Sequence, residues 1–179
     1  AQGLIGRLTV SDGRAFALPI VVWEGMLDAV KTHRKAKHKV EANLPPRQRK
    51  HLKVLQALRA ALPDDGTVAT DMTQIAYTAT YTFPSERPRS YFHPSGFGTL
   101  GYALPAAIGA KIAAPERAVV AMAGDTGFLF TVQELATAVE YKLPIPILLW
   151  NNDALGQIAG DMVELGIPEI GVKLRNPDF

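Results

Sequence analysis

Three short segments of nearly continuous apolar residues constrain the fold more than any other feature of this chain. They occupy residues 67–70 (TVAT), 118–123 (AVVAMA) and 145–150 (IPILLW). Strands that are apolar on both faces and separated by helical stretches are typical of a parallel sheet covered by helices on each side. The sequence therefore predicts an α/β fold with three layers, in which a parallel sheet lies between two layers of helices.

A helix is predicted before the first of these strands. Pro45 and Pro46 suit its first turn, where the missing proline N–H costs little. Its apolar residues recur at near-helical spacing, at Leu52, Leu55, Leu58 and Leu62. Residues 63–66 (PDDG) then favour a turn that ends the helix.

Two further helices are predicted between the strands. Residues 101–114 (GYALPAAIGAKIAA) are rich in small side chains, so this helix can pack closely against its neighbours. A second helix is predicted over residues 128–141. Its apolar face would consist of Phe128, Val132, Leu135, Ala136 and Val139.

The first 43 residues are weakly patterned, and we interpret them as the tail of a preceding domain followed by a basic linker. Residues 19–30 (PIVVWEGMLDAV) could form a strand running into a helix. The basic runs at 31–39 and 47–53 indicate either a nucleic-acid patch or a solvated linker and helix face. The second interpretation is favoured because no aromatic residues interleave with the lysines, so no nucleic-acid partner is expected.

Composition excludes several kinds of site and location. The chain has 179 residues, of which 47% are hydrophobic and 20% charged, and it contains no cysteine. Disulfides and thiolate metal ligands are therefore excluded, and a cytoplasmic location is expected. No run of about 18 uncharged apolar residues occurs, so no membrane span is expected.

Polar residues follow each predicted strand, at 71–74 (DMTQ), 124–127 (GDTG) and 151–153 (NND). Because the carboxyl ends of parallel strands share one edge of the sheet, we expect these clusters to converge on one crevice. Asp125 and Asn152 offer a carboxylate and an amide oxygen, which are hard ligands suited to Mg²⁺ or Ca²⁺. Two side chains do not enclose a cation, and Mg²⁺ usually completes its shell with water and phosphate oxygens.

Glycines and a helix start favour a diphosphate at the same place. Gly124 and Gly127 allow the backbone to approach a ligand closely, and the helix predicted from Phe128 would direct N–H groups there. No P-loop occurs, and residues 96–101 (GFGTLG) match a dinucleotide motif without a clean apolar strand before them. Asp125 alone could instead be a helix N-cap, but its pairing with an asparagine at the next strand end favours the metal role.

The segment from Gly124-Asp125 to Asn151-Asn152 resembles the thiamine diphosphate motif of the acetolactate synthase, benzoylformate decarboxylase and pyruvate decarboxylase superfamily. The upstream run SGFGTLGYALPAAIGAKIA is also similar to that family. We interpret residues 44–179 as its thiamine diphosphate-binding domain, incomplete at the C-terminus. Within the superfamily, TDMTQIAY, HPSGFGTLGYALPAAIGA and LLWNNDALGQI most resemble 5-guanidino-2-oxopentanoate decarboxylases.

The resemblance implies a role for each matching residue. Mg²⁺ would be bound by the side chains of Asp125 and Asn152 and by the backbone carbonyl of Ala154. Leu100 would wedge the cofactor into a bent form, and the Gly98 carbonyl would accept a hydrogen bond from its amino group. The complete set implied to bind thiamine diphosphate is Thr73, Gln74, Gly98, Thr99, Leu100, Gly124, Asp125, Thr126, Gly127, Asn152, Ala154, Leu155 and Gly156.

The activity implied by the resemblance is that of a thiamine diphosphate- and Mg²⁺-dependent lyase that decarboxylates a 2-oxo acid. An acetolactate synthase-type carboligase is the alternative, and a non-catalytic scaffold that keeps the fold is an alternative of another class. The resemblance also implies a homodimer or homotetramer in which a partner subunit's N-terminal domain supplies the cofactor-activating glutamate. No catalytic residue is therefore assigned within this chain, and the chain alone is expected not to turn over.

Four residues near the motif have two interpretations each, and a fifth departs from the family pattern. Asp153, Asp161 and Glu164 either include a partner for a guanidinium tail of the substrate or form a solvated acidic helix face. His93 either faces the substrate or is structural. Thr126 departs from the glycine, alanine or serine that the resemblance leads us to expect, and its branched side chain could crowd the diphosphate.

Overall fold

The computed structural model describes residues 39–179 continuously, together with residues 5–9, 15–19, 32, 35 and 36. The chain separates into two compact units, residues 1–44 and 45–179. In the first unit, strands β1 (Ile5–Thr9) and β2 (Ala15–Pro19) form an antiparallel pair. Neither strand was predicted. The strand and helix predicted at 19–30 lie, after Pro19, outside the described residues, and the assignment of this unit to a preceding domain stays a prediction.

The second unit alternates strands and helices. In chain order these are α1 (Pro46–Ala61), β3 (Thr67–Thr70), α2 (Gln74–Thr82), β4 (Tyr91–Phe92), α3 (Ala103–Ala113), β5 (Val119–Gly124), α4 (Asp125–Phe130), a 3₁₀ turn (Val132–Glu134), α5 (Leu135–Glu140), β6 (Ile147–Trp150) and α6 (Gly156–Glu164). The predicted first helix, the PDDG turn and all three apolar strands are present. Within the described part of the chain, no helix combines the length and apolar character that a membrane crossing requires.

The four strands of the second unit form a parallel sheet in the order β4-β3-β5-β6. After β3 the chain moves outward to β4, and it then crosses back over β3 to place β5 on the other side. The direction of strand addition therefore reverses between β3 and β5. Ligands of open parallel sheets bind at such a reversal, outside the carboxyl ends of the strands.

Helices cover both faces of this sheet, as the predicted three-layer arrangement requires. On one face, Val68 and Met122 pack with Leu55 of α1 and with the apolar side of α2. On the other face, the alanines of β3 and β5 pack against Ala103 and Ala107 of α3. Alternate residues of each strand thus enter opposite cores, because successive side chains of a strand point to opposite faces. The small side chains on both partners allow α3 to approach the sheet closely.

The helix predicted over 128–141 is wrong in its start and in its continuity. α4 begins at Asp125, directly after β5, and the helix breaks at Thr131, whose backbone has φ −132° and ψ 20°. A 3₁₀ turn and the short α5 follow, so the single apolar face assumed for one continuous helix is lost. Val139 is accordingly 75% exposed.

Helix α2 and strand β4 were not predicted. The sequence of α2 (QIAYTATYT) is rich in threonine and tyrosine, which are weak helix formers, so its helicity comes from packing on the sheet. Strand β4 has only two residues and shows no periodicity. Strand β6 is half-buried rather than buried on both faces, because it is an edge strand of the described sheet.

Candidate functional site

A cavity of about 340 Å³ opens at the carboxyl ends of β3, β5 and β6. The three polar strand ends therefore converge on one crevice, as expected from a parallel sheet. Of the thirteen residues implied to bind the cofactor, all except Thr99 line this cavity. The Thr99 hydroxyl donates instead to the carbonyl of Leu100, and its side chain is exposed. Four lining residues were not predicted, namely Met72, Tyr77, Gln157 and Ile158.

Asp125 holds the most buried position among the proposed metal ligands. It is only 3% exposed, and it is the first residue of α4. Gly124 is the N-cap of that helix, and no side chain caps it, so the alternative interpretation of Asp125 as an N-cap is wrong. One carboxylate oxygen, Oδ2, accepts a hydrogen bond of 2.7 Å from the Asn176 amide.

The two asparagines after β6 do different things. The Asn151 Oδ1 accepts from the backbone N–H of Asp153 at 3.1 Å, which fixes the turn. The Asn152 Oδ1 accepts from the N–H of Ala154 at 3.2 Å, and its amide group donates to Gln74 of α2, also at 3.2 Å. Asn152 lines the cavity, which leaves it a candidate ligand of the proposed cation.

Asp71, directly after β3, has a different environment from Asp125. Its carboxylate accepts from the backbone N–H of Gly101 at 2.9 Å and of Met72 at 3.0 Å, with a longer contact to Tyr102 at 3.5 Å. Burial raises the pKa of Asp71 above its ordinary value, and these N–H donors and His93 oppose that shift. Asp71 does not line the cavity. It anchors the loop that carries Gly98 and Leu100, both of which do.

That loop needs glycine at two positions. Gly98 and Gly101 have φ of +64° and +83°, a region that side-chain-bearing residues rarely adopt. A Cβ on Gly101 would lie 3.0 Å from a methyl carbon of Thr131 and 3.2 Å from the Cβ of Phe130. The left-handed turns therefore bring Leu100 to the cavity while the loop packs tightly against the end of α4.

His93 is connected to the sheet and not to the cavity. Its Nδ1 lies 2.8 Å from the hydroxyl of Thr70, and its ring lies 6.4 Å from that of Tyr91. Burial lowers the pKa of His93, opposed by the negative charge of Asp71. This arrangement favours the structural interpretation of His93 over a role facing the substrate.

Of the three acidic residues proposed as guanidinium partners, Asp161 is the one whose side chain is hydrogen-bonded to a residue of the cavity wall within the described part of the chain. Its Oδ1 accepts a hydrogen bond of 2.8 Å from Gln157, which lines the cavity. The pKa of Tyr77, another lining residue, is raised first by burial and then by the charges of Asp71 and Asp161. Asp153 and Glu164 are exposed, and neither lines the cavity.

Two features of the cavity test whether it fits a diphosphate and a divalent cation. The hydroxyl of Thr126 is buried and has no hydrogen-bond partner within the described residues, which leaves a donor for a ligand at the cavity. Among those residues, no three His, Cys, Asp or Glu side chains come together as a metal cage. The oxygens of Asp125, Asn152 and Ala154 are hard ligands of the kind that Mg²⁺ prefers, and Mg²⁺ usually completes its shell with phosphate and water oxygens. The residues that line the cavity are therefore compatible with a diphosphate and a divalent cation.

Comparison with known proteins defines the class. Residues 71–179 match the family described as thiamine pyrophosphate enzyme, C-terminal TPP binding domain. The chain belongs to this family. Both the predicted resemblance and the predicted α/β fold are confirmed.

Two related sequences and one solved structure are similar to this chain. The chain is 56% identical, over 78% of its length, to the probable 2-ketoarginine decarboxylase AruI of Pseudomonas aeruginosa. It is 39% identical, over 60% of its length, to the large subunit of acetolactate synthase isozyme 1 of Escherichia coli. A solved structure, the thiamine diphosphate-dependent 4-hydroxybenzoylformate decarboxylase of Rhodococcus jostii RHA1, superimposes on 72% of the chain with a TM-score of 0.65 and 29% identity.

The chain is much shorter than these proteins. It spans 25% of the Pseudomonas relative, 19% of the Escherichia relative and 24% of the Rhodococcus chain. The similarity therefore concerns the cofactor-binding part of each relative, and the activity, substrate and assembly of a whole protein are proposals.

Proposed function

We propose that this chain forms the thiamine diphosphate- and Mg²⁺-binding part of an enzyme that decarboxylates a 2-oxo acid. One observation carries the proposal: a single cavity at the strand reversal is lined by twelve of the residues that the family motif implies. The similarity to a probable 2-ketoarginine decarboxylase supports the reaction type. A cytoplasmic location and a homodimer or homotetramer stay predictions, and light scattering of the complete natural protein tests the assembly.

Different residues around the cavity are proposed to bind different parts of the cofactor. Asp125, Asn152 and the Ala154 carbonyl would hold Mg²⁺, and Thr126 with the adjacent glycines would hold the diphosphate. Leu100 and the Gly98 carbonyl, which also line the cavity, would set the shape of the cofactor. When bound, thiamine diphosphate supplies a nucleophilic carbon and an acceptor for the electron pair that departing CO₂ leaves behind. The protein's part is placement of the reacting groups and exclusion of water.

The identity of the substrate, and a residue of α6 that would bind it, are also proposed. We infer that 5-guanidino-2-oxopentanoate, which is 2-ketoarginine, is the substrate, because the relative with 56% identity carries that name. The carboxylate of Asp161 would receive the guanidinium through a charge-assisted hydrogen bond, with Gln157 beside it. Because Asp161 is exposed, the pair would add only a modest part of the binding free energy.

Titration calorimetry on the complete natural protein tests the cofactor site. Thiamine diphosphate binding should require Mg²⁺ and be lost in Asp125→Ala and Asn152→Ala. Asp64→Ala, an exposed carboxylate in the turn before the opposite end of β3, is the matched control and should bind as the wild type does. No binding by the wild type under any condition would contradict the proposal and support the non-catalytic scaffold.

A panel of 2-oxo acids then separates the possible activities. The guanidino acid should be decarboxylated with the highest kcat/KM, and Asp161→Asn should raise KM for it while leaving the constants for pyruvate unchanged. The similarity to acetolactate synthase supports the second candidate, a carboligase. That candidate predicts acetolactate from pyruvate, whereas simple decarboxylation yields CO₂ and an aldehyde without carbon–carbon bond formation.

A further inference from the structure

The segment formed by residues 172–179, which we call the strap, lies against the carboxyl ends of β5 and β6. At its end, the ring of Phe179 lies 6.0 Å from that of Phe128 in α4. Its backbone contacts with the turn after β6 are Leu155 N–H to Val172 O at 2.9 Å, Leu174 N–H to Asp153 O at 2.8 Å, and an antiparallel bridge between Ala154 and Lys173. The strap is therefore held in place on both sides of the proposed cation site.

Asn176 is the residue of the strap that reaches this site. Its amide nitrogen, Nδ2, donates to Asp125 Oδ2 at 2.7 Å and to Asn151 Oδ1 at 3.1 Å. The first partner is a carboxylate oxygen, which only accepts, so the NH₂ group of Asn176 must face it. One half-buried amide thus connects the end of β5 with the end of β6.

We propose that Asn176 is a positioning residue that orients the Asp125 carboxylate for the cation. The Asn176 amide occupies Oδ2, and within the described residues it supplies the hydrogen bond found at this carboxylate. Asp125 lines the cavity, and within the described residues no hydrogen bond occupies its other oxygen, Oδ1. Carboxylates that bind metals are generally held by hydrogen bonds from outside the ligand set, which fix their orientation. This inference rests on the cation site of the proposed function.

The cost of losing this contact follows from the burial of Asp125. At 3% exposure its carboxylate has little water to replace a lost donor, and a buried acceptor left without a partner is destabilised. Without Asn176 the carboxylate would turn or recruit another donor, and the cation would bind a less favourable arrangement of ligands. Removing such an outer partner typically lowers metal affinity by about 10- to 100-fold.

The experiment measures cation affinity directly. Mn²⁺ is used as the probe, at saturating thiamine diphosphate, with the complete natural protein. Electron paramagnetic resonance counts the free Mn²⁺. Asn176→Ala should raise the Mn²⁺ dissociation constant by about 10- to 100-fold. Phe179→Ala is the matched control, because it loosens the strap at its other contact and keeps the amide, and its dissociation constant should stay close to the wild-type value.

Each alternative outcome contradicts a different statement. Wild-type affinity in Asn176→Ala overturns the inference. Tighter binding in that variant also overturns it, because the amide would then compete with the cation for Asp125. Equal losses in Asn176→Ala and Phe179→Ala overturn it in favour of a strap that acts only through packing. A wild-type protein that binds no Mn²⁺ overturns the proposed function itself. Thermal unfolding without metal confirms that both variants are folded.

Discussion

Asp71 and Asp125 follow neighbouring parallel strands, and both carboxylates are almost completely buried, at 1% and 3% exposure. Their partners differ. Asp71 accepts from the backbone N–H groups of Met72 and Gly101, and it does not line the cavity. Within the described residues, Asp125 accepts from a single side chain, that of Asn176, and it does line the cavity. We call the end of β3 at Asp71 the closed strand end, because backbone N–H groups occupy its carboxylate. We call the end of β5 at Asp125 the open strand end, because it lines the cavity.

This difference shows that burial alone does not identify a ligand-binding carboxylate. Both groups lose water, and both need compensation for it. Backbone N–H groups from two loops offset part of that cost at Asp71, and they occupy both of its oxygens, which hold the loops together. At Asp125 the hydrogen bond found within the described residues comes from one side chain, that of Asn176, and the residue lines the cavity, where a cation would reach it.

The two strand ends meet at Gly127. A Cβ built on Gly127 would lie 2.2 Å from the Oδ2 of Asp71, the oxygen that accepts from Gly101. The glycine at this position was explained from the sequence by the close approach of a diphosphate to the backbone. The structure adds a second reason, because the Asp71 carboxylate occupies the space that any larger residue would need.

Replacing Gly127 by alanine should cause the largest loss of stability among the changes predicted at the two strand ends. The new methyl group would displace the Asp71 carboxylate and break its bond from Gly101, at a cost of about 1–3 kcal/mol in the free energy of unfolding. Urea unfolding measures this. Gly109→Ala is the matched control. Gly109 is exposed in α3, and no atom of the described residues lies within 4 Å of its Cβ position, so alanine there should stabilise the protein slightly.

A double-mutant cycle sharpens that result. If the clash is with Asp71, combining Gly127→Ala with Asp71→Ser should cost less than the sum of the two single changes, because residues in contact are not additive. Additive costs would show that Gly127 and Asp71 act independently, and would remove the argument that the two strand ends constrain each other.

The open strand end was easier to predict from the sequence than the closed one. Apolar segments followed by polar residues predicted the strands and the crevice. The resemblance to the family supplied the thirteen proposed cofactor-binding residues, of which twelve line that crevice. These signals are local, because a strand and the polar residues after it are adjacent in the chain. The break at Thr131 could not be predicted in the same way, since it accompanies packing of that residue against Gly101.

The contacts that hold the site together are distant in sequence, and this explains why they were missed. Asp71 reaches Gly101, 30 positions away, and Asn176 reaches Asp125, 51 positions away. No periodicity or motif links such pairs. Tyr77 is an intermediate case: it lies three positions after Gln74, so the two share one face of α2, but α2 itself was not predicted.

A smaller effect should come from Thr126 at the open end. Its buried hydroxyl has no partner within the described residues and is proposed to donate to the diphosphate. Thr126→Val keeps the shape and removes the donor, and a bond to a charged group is worth about 1.5 kcal/mol or more, so affinity for thiamine diphosphate should fall by about tenfold. Calorimetry measures the affinity. Stability should not fall, because no existing hydrogen bond is lost.

Thr131→Val provides the matched control for Thr126→Val. The hydroxyl of Thr131 is also buried without a partner in the described part of the chain, but Thr131 does not line the cavity. Its replacement should leave cofactor affinity unchanged. Equal affinity losses in the two variants would indicate a shared packing effect, and an unchanged affinity in Thr126→Val would remove the hydroxyl from the diphosphate site.

The smallest effect concerns the pH dependence that Asp71 confers. Burial raises the pKa of Asp71 in the folded state above the ordinary value of about 3.9. The folded state then holds the proton of Asp71 more tightly than the unfolded state does. The contribution of this protonated group to the free energy of unfolding is therefore complete below about pH 3.9, and it is lost as pH rises through the folded-state pKa.

Asp71→Asn removes this titration. The free energy of unfolding of the wild type, minus that of the variant, should therefore decrease as pH rises, when both are measured by urea unfolding in a His93→Gln background that eliminates the neighbouring titration. A difference that stays constant with pH would show that the backbone N–H donors fully offset burial, and the closed strand end would then hold its carboxylate at no electrostatic cost.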